Sequence, residues 1–154
     1  MRQSGIKIVT TNRKAHFNYF LSDFTECGIA LKGTEIKSIR NNNVSINDAY
    51  VVIKDNQAFI LNMHISSYKE GTIFNVDPMR TRTLLLHKKE IIRFGIKVNQ
   101  GGYTLVPTKV YFKNGKCKVE IALAKGKKLY DKRDDIKNRD IRRDIDRNIK
   151  DFNN

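Results

Sequence analysis

Two pairs of apolar, β-branched segments, each divided by a short Asn-containing turn, constrain this chain more than any other feature. The first pair runs from Ala49 to Ile53 and from Ala58 to Met63, with Lys54-Asp55-Asn56-Gln57 between them. The second runs from Tyr103 to Phe112 and from Cys117 to Ala124, around Asn114-Gly115. Asn and Gly tolerate the positive φ of a tight hairpin turn, so both pairs predict antiparallel hairpins. Pro107 has no amide hydrogen to donate and marks an edge or a bulge.

The remaining elements are read from periodicity and capping chemistry. Asn12 can cap a helix over residues 13 to 22, where Ala15, Tyr19 or Phe20, and Phe24 recur near helical spacing. Cys27 to Leu31 predicts a short strand containing Gly28, and a helix from Thr34 to Arg40 ends at Asn41-Asn42-Asn43. Residues 66 to 83 are polar, contain Pro78 and predict a long loop. Leu84-Leu85-Leu86 leads into a helix from His87 to Val98, with Ile91, Ile92 and Val98 toward the core and Gln100-Gly101-Gly102 closing it. Short strands with two or three helices predict one mainly β domain over residues 1–130, a small OB-like antiparallel β-barrel with about three flanking helices. Its strand order stays open.

Beyond that domain the character changes. Residues 125 to 150 hold eleven Lys or Arg and six Asp, while Ile141, Ile145, Ile149 and Phe152 share one helical stripe. Charge neighbours at spacings of three and four add only about 0.2 to 0.5 kcal/mol each, so residues 131–154 read as a basic C-terminal tail, disordered alone and helical on binding. The whole chain carries a formal net charge of +14, which calls for an anionic partner. Nucleic acid is the first candidate. No apolar run approaches the roughly 20 residues of a spanning helix and no signal peptide precedes the polar start, so a cytoplasmic protein without a membrane partner is expected.

Catalytic and metal chemistry find no foothold. Cys27 and Cys117 stand far apart without paired spacing and read as reduced core thiols, with a single disulfide left open. His16, His64 and His87 are separated and lack the context of a metal site. Ala124-Lys125-Gly126-Lys127-Lys128 holds half of a phosphate-loop pattern and reads as a basic turn against phosphate. Asp77 or Asp48 as a hydrolytic base would stand without a partner, so neither an enzyme nor a cofactor is expected. By contrast, basic residues interleave with aromatics at Arg13, Lys14, His16, Phe17 and Tyr19, and again at Tyr103, Lys109, Tyr111 and Phe112. Such a mixture suits unpaired RNA bases, which stack on rings while cations neutralise the backbone. The competing reading of the Phe residues is a barrel core.

Five segments resemble one family, small protein B. They are Asn12 to Phe20 (NRKAHFNYF), Glu26 to Arg40 (ECGIALKGTEIKSIR), Asn62 to Ser66 (NMHIS), Asp77 to His87 (DPMRTRTLLLH) and Ala124 to Arg133 (AKGKKLYDKR). The resemblance implies an OB-like barrel that grips the tRNA-like part of tmRNA. It also implies a complex charged by alanyl-tRNA synthetase, carried by the tRNA-delivering elongation factor, and accepted by the small-subunit decoding centre of a stalled ribosome. There the basic tail would occupy the empty mRNA channel while tmRNA encodes a tag for the unfinished polypeptide.

Carried over by position, the RNA-facing residues are Asn12, Tyr19, Glu26 and Leu85, with Arg13 and Lys14 beside them. The tail matches at Gly126, Lys127, Lys128, Asp131, Lys132, Arg133, Ile136, Lys137 and Arg139. Without the family, Glu26 reads as a strand-end charge paired with Lys or Arg, and Leu85 as a core leucine. Phe17 stands where the family often has His, and Thr83 and Ser67 replace its usual Lys and Pro. A ribosomal or ribosome-assembly protein bound to rRNA shares the charge, size and tail, and an interaction module with an amphipathic tail is the third reading.

Counterion release sets the first test. A protein of this charge that binds RNA displaces a counterion from each phosphate it neutralises, so log affinity is expected to fall steeply with log salt in a titration. A flat dependence would assign the charge to something else.

Overall fold

The computed structural model describes residues 5–68 and 76–127. In chain order the elements are β1 (Ile6–Thr11), α1 (Arg13–Asn18), β2 (Tyr19–Ile29), α2 (Gly33–Arg40), β3 (Val44–Ser45), β4 (Tyr50–Lys54), β5 (Gln57–Leu61), β6 (His64–Ile65), β7 (Arg82–Leu85), α3 (Lys88–Asn99), β8 (Tyr103–Lys113) and β9 (Lys116–Gly126). The main sheet runs β1-β8-β4-β5-β7-β2-β9, and β8 also pairs with β9, so the sheet closes on itself into an antiparallel ring with β1 added outside β8. β3 and β6 form a separate small ladder.

Both hairpins stand where their turns place them. Asp55 and Asn56 at φ 53° and 61°, and Asn114 and Gly115 at φ 52° and 82°, give each hairpin two consecutive left-handed residues, matching the right-handed twist of the strands. β8 and β9 pair from Tyr103↔Lys125 to Lys113↔Lys116, with a register shift between Pro107↔Ile121 and Lys109↔Glu120 that leaves Thr108 as the extra residue of a bulge. Pro107 therefore marks a bulge. It does not mark an edge, because β8 pairs with β1, β4 and β9.

Four expectations need correction. The first helix stops at Asn18. Tyr19 is already extended, and pairing with β9 draws the rest of the segment into an 11-residue strand, so Phe20 and Phe24 are exposed strand residues. The stretch before Asn12, to which the sequence reading assigned no element, holds Ile6–Thr11, which adds an edge strand to β8. Arg82–Leu85 belongs neither to a loop nor to a helix approach but forms β7 between β5 and β2, while residues 69–75 of the expected loop lie outside the described residues. In α3, Ile91 and Phe94 are buried and Ile92 is exposed, because the helical period places Ile92 on the outer face.

The core is filled by Ile39, Ala58, Ile60, Met63, Phe94, Leu105, Val110, Val119 and Ile121, contributed by most of the strands with α2 and α3 packed against them. Beside it lies a buried charge cluster. Arg82 is fully buried and donates to Glu35 Oε2 at 2.7 Å, to the Met63 carbonyl at 2.6 Å and to the Pro78 carbonyl at 3.1 Å. Arg80 adds donors to both Glu35 oxygens at 2.7 and 3.2 Å, and the Lys32 amide donates at 2.8 Å. Burial pushes the Glu35 carboxyl up, but the hydrogen bonds from Arg80, Lys32 and Arg82 outweigh it and hold the group below its ordinary 4.5. Among the described residues no helix is long and apolar enough to cross a membrane.

Removing Glu35 strands the fully buried Arg82 guanidinium without a counterion in a medium that cannot solvate it, so Glu35→Ala is expected to cost about 3 to 5 kcal/mol in urea denaturation. Arg82→Met should cost less, because Arg80 and the Lys32 amide still satisfy the Glu35 carboxylate. Because the Glu35 carboxyl is lowered on folding, its contribution is present above 4.5 and disappears as pH falls through the lower folded value. Denaturation midpoints of wild type should therefore drop below pH 4.5 more steeply than those of Glu35→Gln.

Candidate nucleic-acid interface

Strand β2 carries the two ends of the surface, with Tyr19 at its start and Glu26 seven residues on, roughly 20 Å away along an extended strand. Between them the ladder to β9 shifts register from Ser22 to Thr25, and Asp23 takes φ 54°. This bulge turns the strand, so its halves face different neighbours. Asp23 is held by a bidentate contact from Arg93 of α3, at 2.9 and 3.1 Å.

Glu26 and Leu85 line one open groove of about 680 Å³ together with Gly28, His87, Glu90 and Lys118. Cross-strand register builds it, because Gly28 pairs with Leu85 on one side and with Lys118 on the other. A Cβ on Gly28 would lie 3.3 Å from both Cβ and Cδ1 of Leu85, so glycine lets the leucine seat closely against the strand. Leu85 is nevertheless 58% exposed, which removes the core-leucine reading. Glu26 accepts a 2.6 Å hydrogen bond from the Tyr111 hydroxyl and lies 3.5 Å from Lys113 Nζ. The Tyr111 hydrogen bond is the main cause that lowers the Glu26 carboxyl, Lys113 and Lys118 add to it, and burial opposes them. Glu26 is thus an ionised acceptor in a cationic setting. It can take hydrogen bonds from base N–H groups or a ribose hydroxyl where a phosphate would be repelled.

Asn12, Lys14 and Tyr19 gather at a second groove of about 290 Å³, with Asp48 and Tyr50. Asn12 is 1% exposed. Its Oδ1 accepts from the Ala15 amide at 3.0 Å and its Nδ2 donates to the Pro107 and Ile46 carbonyls at 2.9 and 3.1 Å. The structure therefore gives Asn12 the task of fixing α1 against β8, while Arg13 and Lys14 stay exposed on that helix. Lys14 pairs with Asp48 at 2.7 Å. The route toward the C-terminus starts here too: Gly126 pairs with Tyr19, the Lys127 amide donates to the Asn18 carbonyl at 3.1 Å, and the Lys127 ammonium lies 5.3 Å from the centre of the Phe20 ring. Lys128, Asp131, Lys132, Arg133, Ile136, Lys137 and Arg139 lie outside the described residues.

The sequence reading missed Lys118, His87 and Gly28 as lining groups. Lys118 carries no local signal, and only the register of β9 on β2 reveals its place. Cys27 and Cys117 are free thiols, pushed up by burial to about 12 and about 11, which leaves them protonated and inert. Among the described residues no group of three or more His, Cys, Asp or Glu is placed to hold a metal ion.

The SmpB protein family model matches residues 9–151. This chain belongs to the SmpB family. It is 52% identical over 151 residues to the SsrA-binding protein of Caldicellulosiruptor bescii, covering 98% of this chain and 96% of that one. It is 59% identical over 137 residues to the SsrA-binding protein of Ureaplasma parvum serovar 3, covering 89% and 97%. A chain from a solved structure of tmRNA-SmpB in the bacterial ribosome superposes with a TM-score of 0.66 at 45% identity, covering 77% of this chain and 84% of that chain. The SmpB match extends over the closed sheet, so the fold is the family's fold.

Because the Tyr111 hydrogen bond lowers the Glu26 carboxyl, Tyr111→Phe should move it back up toward 4.5, followed by a carboxyl-carbon NMR titration. The sign follows from a lowered group: the contact stabilises the fold above 4.5 and is lost as pH falls through the folded value. An unchanged titration would assign the lowering to the lysines instead.

Proposed function

We propose that this SmpB-family protein binds tmRNA in trans-translation, gripping the tRNA-like part with the closed sheet and accompanying it into stalled ribosomes. The observation that carries this reading is near-full-length similarity to SsrA-binding proteins at about half of all positions. The geometry gives it a physical form. An exposed leucine, an ionised acceptor and a lysine share one open groove, which suits unstacked bases better than a regular duplex whose major groove is closed to side chains. Within that reading Glu26 and Leu85 contact the RNA directly, Tyr19 and Lys14 extend the surface at the second groove, and Asn12 positions α1. The protein acts as an adaptor with no chemical step of its own, and alanyl-tRNA synthetase and the tRNA-delivering elongation factor meet it through the RNA.

Residues 131–154 form the second functional unit in this proposal. Their sequence is rich in Lys, Arg and Asp, and holding a chain segment in one conformation costs about 1 to 2 kcal/mol per residue in backbone entropy. That cost is met only where many phosphates line the path, as in a small-subunit message channel left empty by a truncated message. An intact message fills the same space and excludes the tail, which restricts action to stalled ribosomes.

Immunoprecipitation from the host followed by sequencing of bound RNA tests the reading as a whole. Strong enrichment of tmRNA is expected, whereas enrichment of rRNA without tmRNA would favour a ribosomal or ribosome-assembly protein. Truncation after Tyr130 should leave the tmRNA band shift nearly unchanged and abolish peptide tagging in reconstituted translation of messages without a stop codon. Normal tagging by the truncated protein would remove the tail from the mechanism.

A further inference from the structure

Leu85 stands between two grooves. On one side lies the Glu26 groove; on the other lies a second opening of about 440 Å³, lined by Arg40, Lys116 and Lys118 together with Leu31, Ile36 and Cys117. Gly28, Leu85 and Lys118 line both, so the two are continuous across the ridge that Leu85 makes. They differ in charge. Glu26 and Glu90 line the first, whereas among the described residues no acid lines the second.

One cation of the second groove, Arg40, is placed by a neutral contact. The Arg40 guanidinium carbon lies 5.6 Å from the centre of the Phe112 ring, which orients the group without cancelling its charge. Lys116 follows the Asn114-Gly115 turn at the exposed tip of the β8–β9 hairpin. Among the described residues neither Arg40 nor Lys116 makes a salt bridge, although Glu26, Glu35 and Glu120 do. Arg40 closes α2 and Lys116 opens β9, so two distant segments deliver positive charge to one opening beside an apolar lining.

We propose that the second groove is a nucleotide subsite of the bound RNA strand, in which Arg40 and Lys116 hold backbone phosphate while the base lies against Leu31 and Ile36. Leu85 then separates this nucleotide from its neighbour in the Glu26 groove, acting as an apolar wedge between two unstacked bases. The division of labour follows from chemistry: the acid-lined side accepts from base edges, and the acid-free side neutralises the backbone. The proposal rests on the tmRNA-binding reading above and adds a site to it.

Binding of the full chain to tmRNA is measured by anisotropy over a range of salt, for wild type, Arg40→Gln/Lys116→Gln and Arg40→Lys/Lys116→Arg, each checked by thermal melt. Each backbone contact adds about 0.7 to 1 to the slope of log affinity against log salt, so the neutral pair should flatten that slope by about 1.4 to 2. The charge-conserving pair should keep the wild-type slope. A wild-type slope in the folded neutral pair would overturn the subsite while leaving tmRNA binding intact. So would equal flattening in the charge-conserving pair, since the loss would then not follow charge. Wild-type protein that fails to prefer tmRNA over bulk tRNA would overturn the tmRNA reading and the subsite with it.

Discussion

The buried contact between Glu35 and Arg82 is the constraint on which the rest of the structure depends. A guanidinium with no exposure needs every donor placed, and here the partners come from α2, from the chain before β6 and from the turn at Pro78. Arg80 fills the remaining side of the carboxylate and also reaches the Ala30 carbonyl at 3.4 Å. Such a pair adds little net stability over a well-packed apolar replacement, because desolvation consumes most of the attraction. What it adds is geometry. It ties β7 to α2 and to the turn at Pro78, and β7 ends in the leucine that lines both candidate grooves.

That dependence explains which parts of the fold could be read from the sequence. Hairpin turns are local chemistry, so Asp55-Asn56 and Asn114-Gly115 announced themselves, and Asn12 announced a cap that the structure confirms. β7 was hidden because its first residue is an arginine, which a pattern of apolar alternation rejects as a strand interior. Only the distant Glu35 makes that arginine acceptable in the core. The end of α1 was hidden for a related reason. Nothing near Tyr19 forbids another helical turn, and the strand partner that wins, β9, lies more than 100 residues away.

The interface divides along the same line. Glu26 and Leu85 entered through family resemblance, while their chemistry in isolation suggested a paired surface charge and a buried leucine. Half of that bland reading holds, since Glu26 is paired with Tyr111 and Lys113, and the pairing lowers its carboxyl below the ordinary value. Asn12 went the other way, from a surface contact to a buried bracket. Lys118, Arg40 and Lys116 were invisible, because a lysine or arginine gains its meaning from what faces it across the strands, and register is not written in neighbouring residues.

The ring closes unevenly. β4 meets β8 through the single pair Val51↔Leu105, and β2 meets β7 through only Gly28↔Leu85 and Ile29↔Leu84. In the order of the ring these two thin joins lie opposite one another, so the ladder divides into two three-stranded parts, β4-β5-β7 and β2-β9-β8, that share few paired residues. Leu85 and Gly28 sit on one of these joins. An RNA strand bound as proposed would lie across that join and add contacts to both parts where the ladder itself supplies the fewest.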